Sequence, residues 1–260
     1  MYKTIVVHVD GAPQARERIA LAGLVAQGQQ AHLVGAATAP PGPPEARRPA
    51  QEALERFETQ ARGFDVSYET RLGEQEAAAN LSLQARYADL VVLSQSKPDS
   101  GMAQQPAPLP EQVALQAGRP VLILPHIGTF AHLDRHALVA WDGSRAATRA
   151  IGDALPLLRA SKLVTVAVFN PEREHGVHGA KPGADIALYL ARHGIQVAVQ
   201  RQTTSPEQPV GEALLSLAAN LQADLFVMGA YGHARWNEIL LGGVTRTLLR
   251  AMTLPVLMSH

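Results

Sequence analysis

Four glycines near the end of this chain have the types and spacing of a phosphate cradle. Gly229 and Gly232 follow an apolar run at 223–228, and Gly242 and Gly243 open an amphipathic run at 244–250. Glycine adopts backbone angles that other residues avoid and lets backbone approach a ligand closely. A helix N-terminus adds unpaired N–H groups and the positive end of a dipole. Strand, Gly-x-x-Gly, spacer, Gly-Gly and helix together would therefore hold an anion, with Val244 and Thr245 in the first helical turn. Between the glycines lie His233, Arg235 and Trp236. Arg235 could pair with phosphate and Trp236 could cover a ligand, although a solvated charge and a buried loop anchor explain them equally well. Arg246 near the start of a helix opposes the dipole unless an anion is close.

Other chemistries find less support. His175 and His178 could share a metal, but no further ligand cluster is near them, and a polar loop is the better reading. The chain has no cysteine, no Gly-x-Ser-x-Gly elbow and no Gly-x4-Gly-Lys loop. Glu238 reads as a helix-face carboxylate, not a base, so no catalytic residue is assigned and any turnover of a bound phosphate ligand is expected to be slow. Acidic and basic residues balance at 23 each among 260 residues, which argues against nucleic acid or an anionic membrane as a global partner. No stretch approaches the ~20 apolar residues of a membrane helix, and the N-terminus lacks signal-peptide features. A soluble cytoplasmic protein is the expectation.

The elements that must position these glycines occur twice. Ala88-Asp89-Leu90-Val91-Val92-Leu93 matches Ala223-Asp224-Leu225-Phe226-Val227-Met228, and Pro120-Val121-Leu122 matches Pro255-Val256-Leu257, both at an offset of 135. Ile5 to Gly11 parallels Ala137 to Gly143 at an offset of 132. Two copies of one domain are implied, at 1–127 and 134–260. In each copy short apolar runs alternate with helical periods, which predicts β-α-β units and a parallel sheet. Strands are expected at 3–9, 31–37, 65–70, 89–93 and 121–124, then 137–141, 163–169, 196–202, 224–228 and 256–258. Helices are expected at 15–27, 44–62, 74–87 and 111–117, then 146–158, 184–193, 209–221 and 244–251. The fold class is α/β, with two tandem Rossmann-like domains, each a five-stranded parallel sheet with helices on both faces. Ligands of such sheets sit beyond the carboxyl ends of the strands, at the switch point, where Asp142 and Gly229 would meet.

This pattern resembles the universal stress protein family, whose nucleotide-binding signature is Gly-x2-Gly-x9-Gly-(Ser/Thr). Gly229, Gly232 and Gly242 fall on its three glycines, and Gly243 stands where Ser or Thr is usual. Thr245 could supply the missing hydroxyl. The resemblance implies ATP or another adenine nucleotide, with Mg²⁺ on the phosphates, in the second domain. Diadenosine and cyclic nucleotides stay open. It places Asp142 by the adenosine and the strand end around Val168 along the adenine, where backbone contacts would serve. It also implies a regulatory or protective role in stress, and pairing through last strands, so that the two domains form an intramolecular pseudo-dimer; a further homodimer is common among relatives. A nucleotide-free scaffold and a slow ATPase or phosphotransferase are the alternatives.

The first copy reads differently. Ser94, Lys97, Ala107 and Pro108 stand where the second has Gly229, Gly232, Gly242 and Gly243, and Pro110 stands for Thr245. Proline has no N–H to offer. The first domain is therefore expected to bind no nucleotide in the family manner and to act as a structural partner, with Asp10 capping its first helix.

Overall fold

The structure, a computed structural model, describes residues 1–96, 107–173, 181–205, 207–230 and 243–260. The chain divides into two compact units, Met1–Ala131 and His132–His260. In the first, β1 (Thr4–His8), α1 (Ala15–Gln29), β2 (His32–Thr38), α2 (Pro44–Ala61), β3 (Tyr68–Gly73), α3 (Ala77–Ala85), β4 (Leu90–Ser94), α4 (Leu109–Gln116) and β5 (Val121–Leu124) follow one another. The strands lie in the order β3-β2-β1-β4-β5, all parallel.

The second unit repeats the plan with β6 (His136–Ala140), α5 (Arg145–Leu158), β7 (Leu163–Phe169), α6 (Ala184–Arg192), β8 (Val197–Gln202), α7 (Val210–Asn220), β9 (Leu225–Gly229), α8 (Gly243–Ala251) and β10 (Val256–Ser259). Its parallel order is β8-β7-β6-β9-β10. Right-handed crossovers put the first two helices of each unit on one face and the last two on the other. α1 accordingly packs on α2, α3 on α4 and α7 on α8.

Central strands of such sheets are covered on both faces and read as continuous apolar runs. Ile5, Val6 and Val7 are fully buried, as are Leu90 to Leu93 and Leu225 to Val227. The repeated Ala-Asp-Leu has a physical reason. Asp89 Oδ2 accepts the N–H groups of Lys3 and Thr4 at 2.6 and 3.0 Å. Asp224 does the same for Arg135 and His136, at 2.9 and 3.0 Å. Each aspartate ties the start of its unit's fourth strand to the start of its first.

Two predicted elements shift. The third strand lies at Tyr68–Gly73 instead of 65–70. Phe64, just before the expected strand, packs onto α1: a Cβ on Gly23 would fall into its ring. α3 begins at Ala77, not at 74. Asn80 lies so close to Gly73 that no side chain fits at that glycine, and its amide donates to Ala37 O and Thr38 Oγ1, both at 3.0 Å.

Candidate functional site

The order of each sheet reverses beside its first strand, so the crevice lies between β1 and β4 in the first unit and between β6 and β9 in the second. In the second unit, β6 runs out at Asp142, whose Oδ1 accepts the Ser144 N–H at 2.9 Å. Gly143 between them has φ 73°, which favours glycine. Ser144 is the N-cap of α5, its Oγ accepting the Ala147 N–H at 3.1 Å. Capping thus falls to Ser144, and Asp142 shapes the turn.

Gly229 ends β9 against the first turn of α5. A Cβ there would stand 2.4 Å from Ala147 N and 2.5 Å from the Ala146 carbonyl carbon. Its first physical requirement is therefore close strand–helix packing. α8 opens at Gly243, which is exposed, and among the described residues nothing lies within 4 Å of a Cβ placed there. Val244 is half-buried and Thr245 buried. A Cβ on Gly211 of α7 would meet Thr247 at 3.0 Å and the Val244 Cα at 3.5 Å, so this glycine lets α7 hold the first turns of α8 in place. Val168 is fully buried, with its Cγ2 3.0 Å from a Cβ built on Gly183, so its side chain belongs to the core. Gly232, His233 and Gly242 lie outside the described residues, as do His175, His178, Arg235, Trp236 and Glu238.

The first unit fills the matching place with its own side chains. Arg18 of α1, 2% exposed, reaches the exits of both crevice strands. Its Nε donates to His8 O at 2.7 Å, Nη1 to Ser94 Oγ at 2.9 Å and Nη2 to Asp10 Oδ1 at 2.7 Å. Asp10 Oδ1 also accepts the Ala12 N–H at 3.1 Å, while the N-cap of α1 is Gln14. The expected capping role of Asp10 is therefore corrected: the carboxylate is the partner of a buried guanidinium. At the sequence offsets already found, the second unit has Ala150 for Arg18 and Gly229 for Ser94.

The start of α4 differs in the same sense. Pro108 is its N-cap and Pro110 lies in its first turn, so two N–H groups are missing where a helix usually leaves them free. Glu111, buried in that first turn, brings a carboxylate to the positive end of the dipole. Its counterpart in α8 is the exposed cation Arg246. Arg18 and Glu111 are the residues the sequence reading missed. The signal was an arginine among the apolar positions of α1, visible only by asking what replaces Ala150.

The same cluster carries a pH dependence. Burial, with the Arg18 guanidinium beside it and against a partial offset from Asp10, lowers the pKa of His8 to about 4. For Asp10, burial acts upward, but the charges of Arg18 and His8 and the bonds from Arg18 and Ala12 prevail and hold the carboxyl below its ordinary value. An unfolded histidine takes its proton near pH 6.5, so below that pH the unfolded chain binds more protons than the folded one. The stabilisation from neutral His8 is complete above about pH 6.5 and drains away as pH falls toward 4. Between pH 7 and 5 the first unit is expected to lose about 2 kcal/mol from this group. Urea midpoints at the two pH values, compared with those of His8→Gln, check this; an equal loss in the variant would remove His8 as the cause.

Comparison with known proteins agrees with this architecture. The profile of the universal stress protein family matches residues 135–260. No curated protein sequence gives a significant match. Among solved structures, the chain is similar to a universal stress protein from Archaeoglobus fulgidus DSM 4304, with 16% identity, 98% of this chain and 97% of that one covered, and a TM-score of 0.76. It is also similar to a putative universal stress protein from Pseudomonas aeruginosa UCBPP-PA14, at 17% identity, 99% and 93% coverage and a TM-score of 0.64. At such identities the likeness speaks for the fold. The second unit therefore belongs to the universal stress protein family, and the chain carries two units of that fold in tandem.

Proposed function

We propose that the second unit binds an adenine nucleotide, ATP with Mg²⁺, across the carboxyl ends of β7, β6 and β9, and that the protein acts as a nucleotide-responsive regulatory or protective protein. The observation that carries this reading is the contrast at the two crevices. The first unit occupies its strand exits with the Arg18–Asp10 pair and opens α4 with two prolines and the buried Glu111. The second has Ala150 and Gly229 at those places, and α8 opens on an exposed glycine with space around it. The phosphates would meet the first turn of α8 and the glycine loop, made of Gly229, Gly232, His233, Gly242, Gly243, Val244 and Thr245. The ribose would lie by Asp142, and the base along the β7 exit beside Val168.

Among the described residues no group of three or more His, Asp or Glu side chains could hold a metal. Mg²⁺ would thus enter on the phosphates, as is usual for this ion. The first unit is expected to bind no nucleotide and to serve as a structural partner of the second.

Calorimetric titration with ATP and Mg²⁺ tests the proposal. One site per chain is expected. Gly243→Ser, which places a hydroxyl at the start of α8 in open space, should tighten binding about fivefold, the worth of roughly one hydrogen bond. No heat at millimolar ATP would sink the nucleotide reading, and two sites per chain would sink the account of the first unit.

A further inference from the structure

Asn170 and Thr204 form a buried clamp across the exits of β7 and β8. Both are almost fully buried. Asn170 Oδ1 accepts the Thr204 N–H at 2.9 Å, and its Nδ2 donates to Thr204 Oγ1 at 3.0 Å. The chain leaves β7 through Asn170 itself, at φ 51°, a left-handed conformation that asparagine tolerates better than most residues. The first unit has no such clamp. Ala39 takes the same ladder step there, its N–H donating to Gly73 O as that of Asn170 donates to Gln202 O.

The clamp fixes one particular stretch of backbone. Along a parallel strand, successive residues bond alternately to the two neighbours. Val164 and Asn170 donate to β8 or the residue before it, whereas the Ala167 carbonyl accepts from Trp141, on the β6 side. Phe169 therefore turns its N–H and C=O toward β6, one step beyond the Trp141–Ala167 bond. Neighbouring strands lie ~4.8 Å apart. From a phosphate at β9 and α8, two strand spacings across β6 bring the far end of a nucleotide to this residue.

We propose that Asn170, through its clamp on Thr204, is a positioning residue that holds the Phe169 N–H and C=O in register to read the edge of an adenine base. The inference rests on the nucleotide reading above. Adenine offers an acceptor (N1) beside an amino donor (N6), which one N–H and one C=O can satisfy together. Guanine presents the opposite order, a donor at N1 and an acceptor at O6, and leaves both backbone groups facing like partners. A site that buries polar groups rejects a ligand that leaves them unpaired.

The test is the ratio of GTP to ATP dissociation constants for the whole chain. Wild type should favour ATP. Asn170→Gly, which keeps the backbone angle but removes the clamp, should lower the ratio about tenfold, through weaker ATP binding with GTP nearly unchanged. Thr204→Val, which keeps the shape and removes the hydroxyl, should lower it by about threefold, a fraction of that bond. Asn170→Asp, which keeps the acceptor for the Thr204 N–H and takes the Thr204 hydroxyl as donor where the amide donated to it, should preserve it. Equal weakening of both nucleotides in Asn170→Gly or Thr204→Val would reduce the clamp to a structural brace and overturn the proposal. So would a wild type that binds ATP and GTP alike. If wild type bound neither, the nucleotide reading itself would fail.

Discussion

Replacing Arg18 by alanine is expected to destabilise the first unit by about 3 kcal/mol, in the range for removing one partner of a buried ion pair. The guanidinium makes three hydrogen bonds, to His8 O, Ser94 Oγ and Asp10 Oδ1. It is 2% exposed, so its deletion leaves a cavity as well as a part-buried carboxylate without its cation. The loss should be local. Amide exchange should speed up in peptides covering β1, α1 and β4, while those covering β6, α5 and β9 stay protected. The double variant with Asp10→Asn separates charge from packing. If the pair is the main contribution, removing both partners should cost less than the sum of the single changes, with a coupling of about 1–3 kcal/mol. Additive effects would mean that Arg18 acts by filling space alone.

Gly229→Ala is the second large effect, expected to cost about 3 kcal/mol in the absence of any ligand. The new methyl would stand 2.4 Å from Ala147 N and 2.5 Å from the Ala146 carbonyl carbon. These atoms are helix backbone and cannot swing aside as a side-chain end could. α5 must move, carrying with it the Ser144 cap and the turn at Asp142, so nucleotide affinity should fall together with stability. Gly243→Ala is the control: it adds the same methyl where no described residue lies within 4 Å and should leave unfolding unchanged within ~0.5 kcal/mol. Thermal unfolding of the two variants without ligand decides the matter. A Gly229→Ala protein as stable as wild type would show that this glycine serves ligand approach only.

The two glycines look alike in the sequence. Both belong to one spacing pattern, and both were read as parts of a phosphate cradle. Only the positions of their neighbours show that one is pressed against a helix, while the other has no described residue within 4 Å of a Cβ placed there. Asp10 and Asp142 differ in the same way: each follows a first strand and precedes a glycine, yet one grips a buried arginine and the other shapes a turn before a serine cap.

Much of the architecture was legible because it depends on local periodicity. Apolar strand runs, helical periods and the repeat at a fixed offset put the elements in order, and most boundaries fall within a residue or two of those seen. β3, like the start of α3, is an exception. Its residues are half-buried or exposed, none buried, so the apolar signal of a covered strand is weak. The first unit's missing cradle was also legible, from prolines and absent glycines alone.

By itself, then, the sequence determined two copies of a parallel α/β unit, an anion-type glycine spacing in the second copy only, and the order of the elements that bring its strand ends together. These are patterns among residues near one another in the chain, or repeats of such patterns. Tertiary structure decided which side chains bridge the strand exits. Arg18 meets a serine 76 positions away, and Asn170 meets a threonine 34 positions away. Such contacts obey no period. They exist because parallel strands bring distant carboxyl ends side by side, where one side chain can bridge two strand exits.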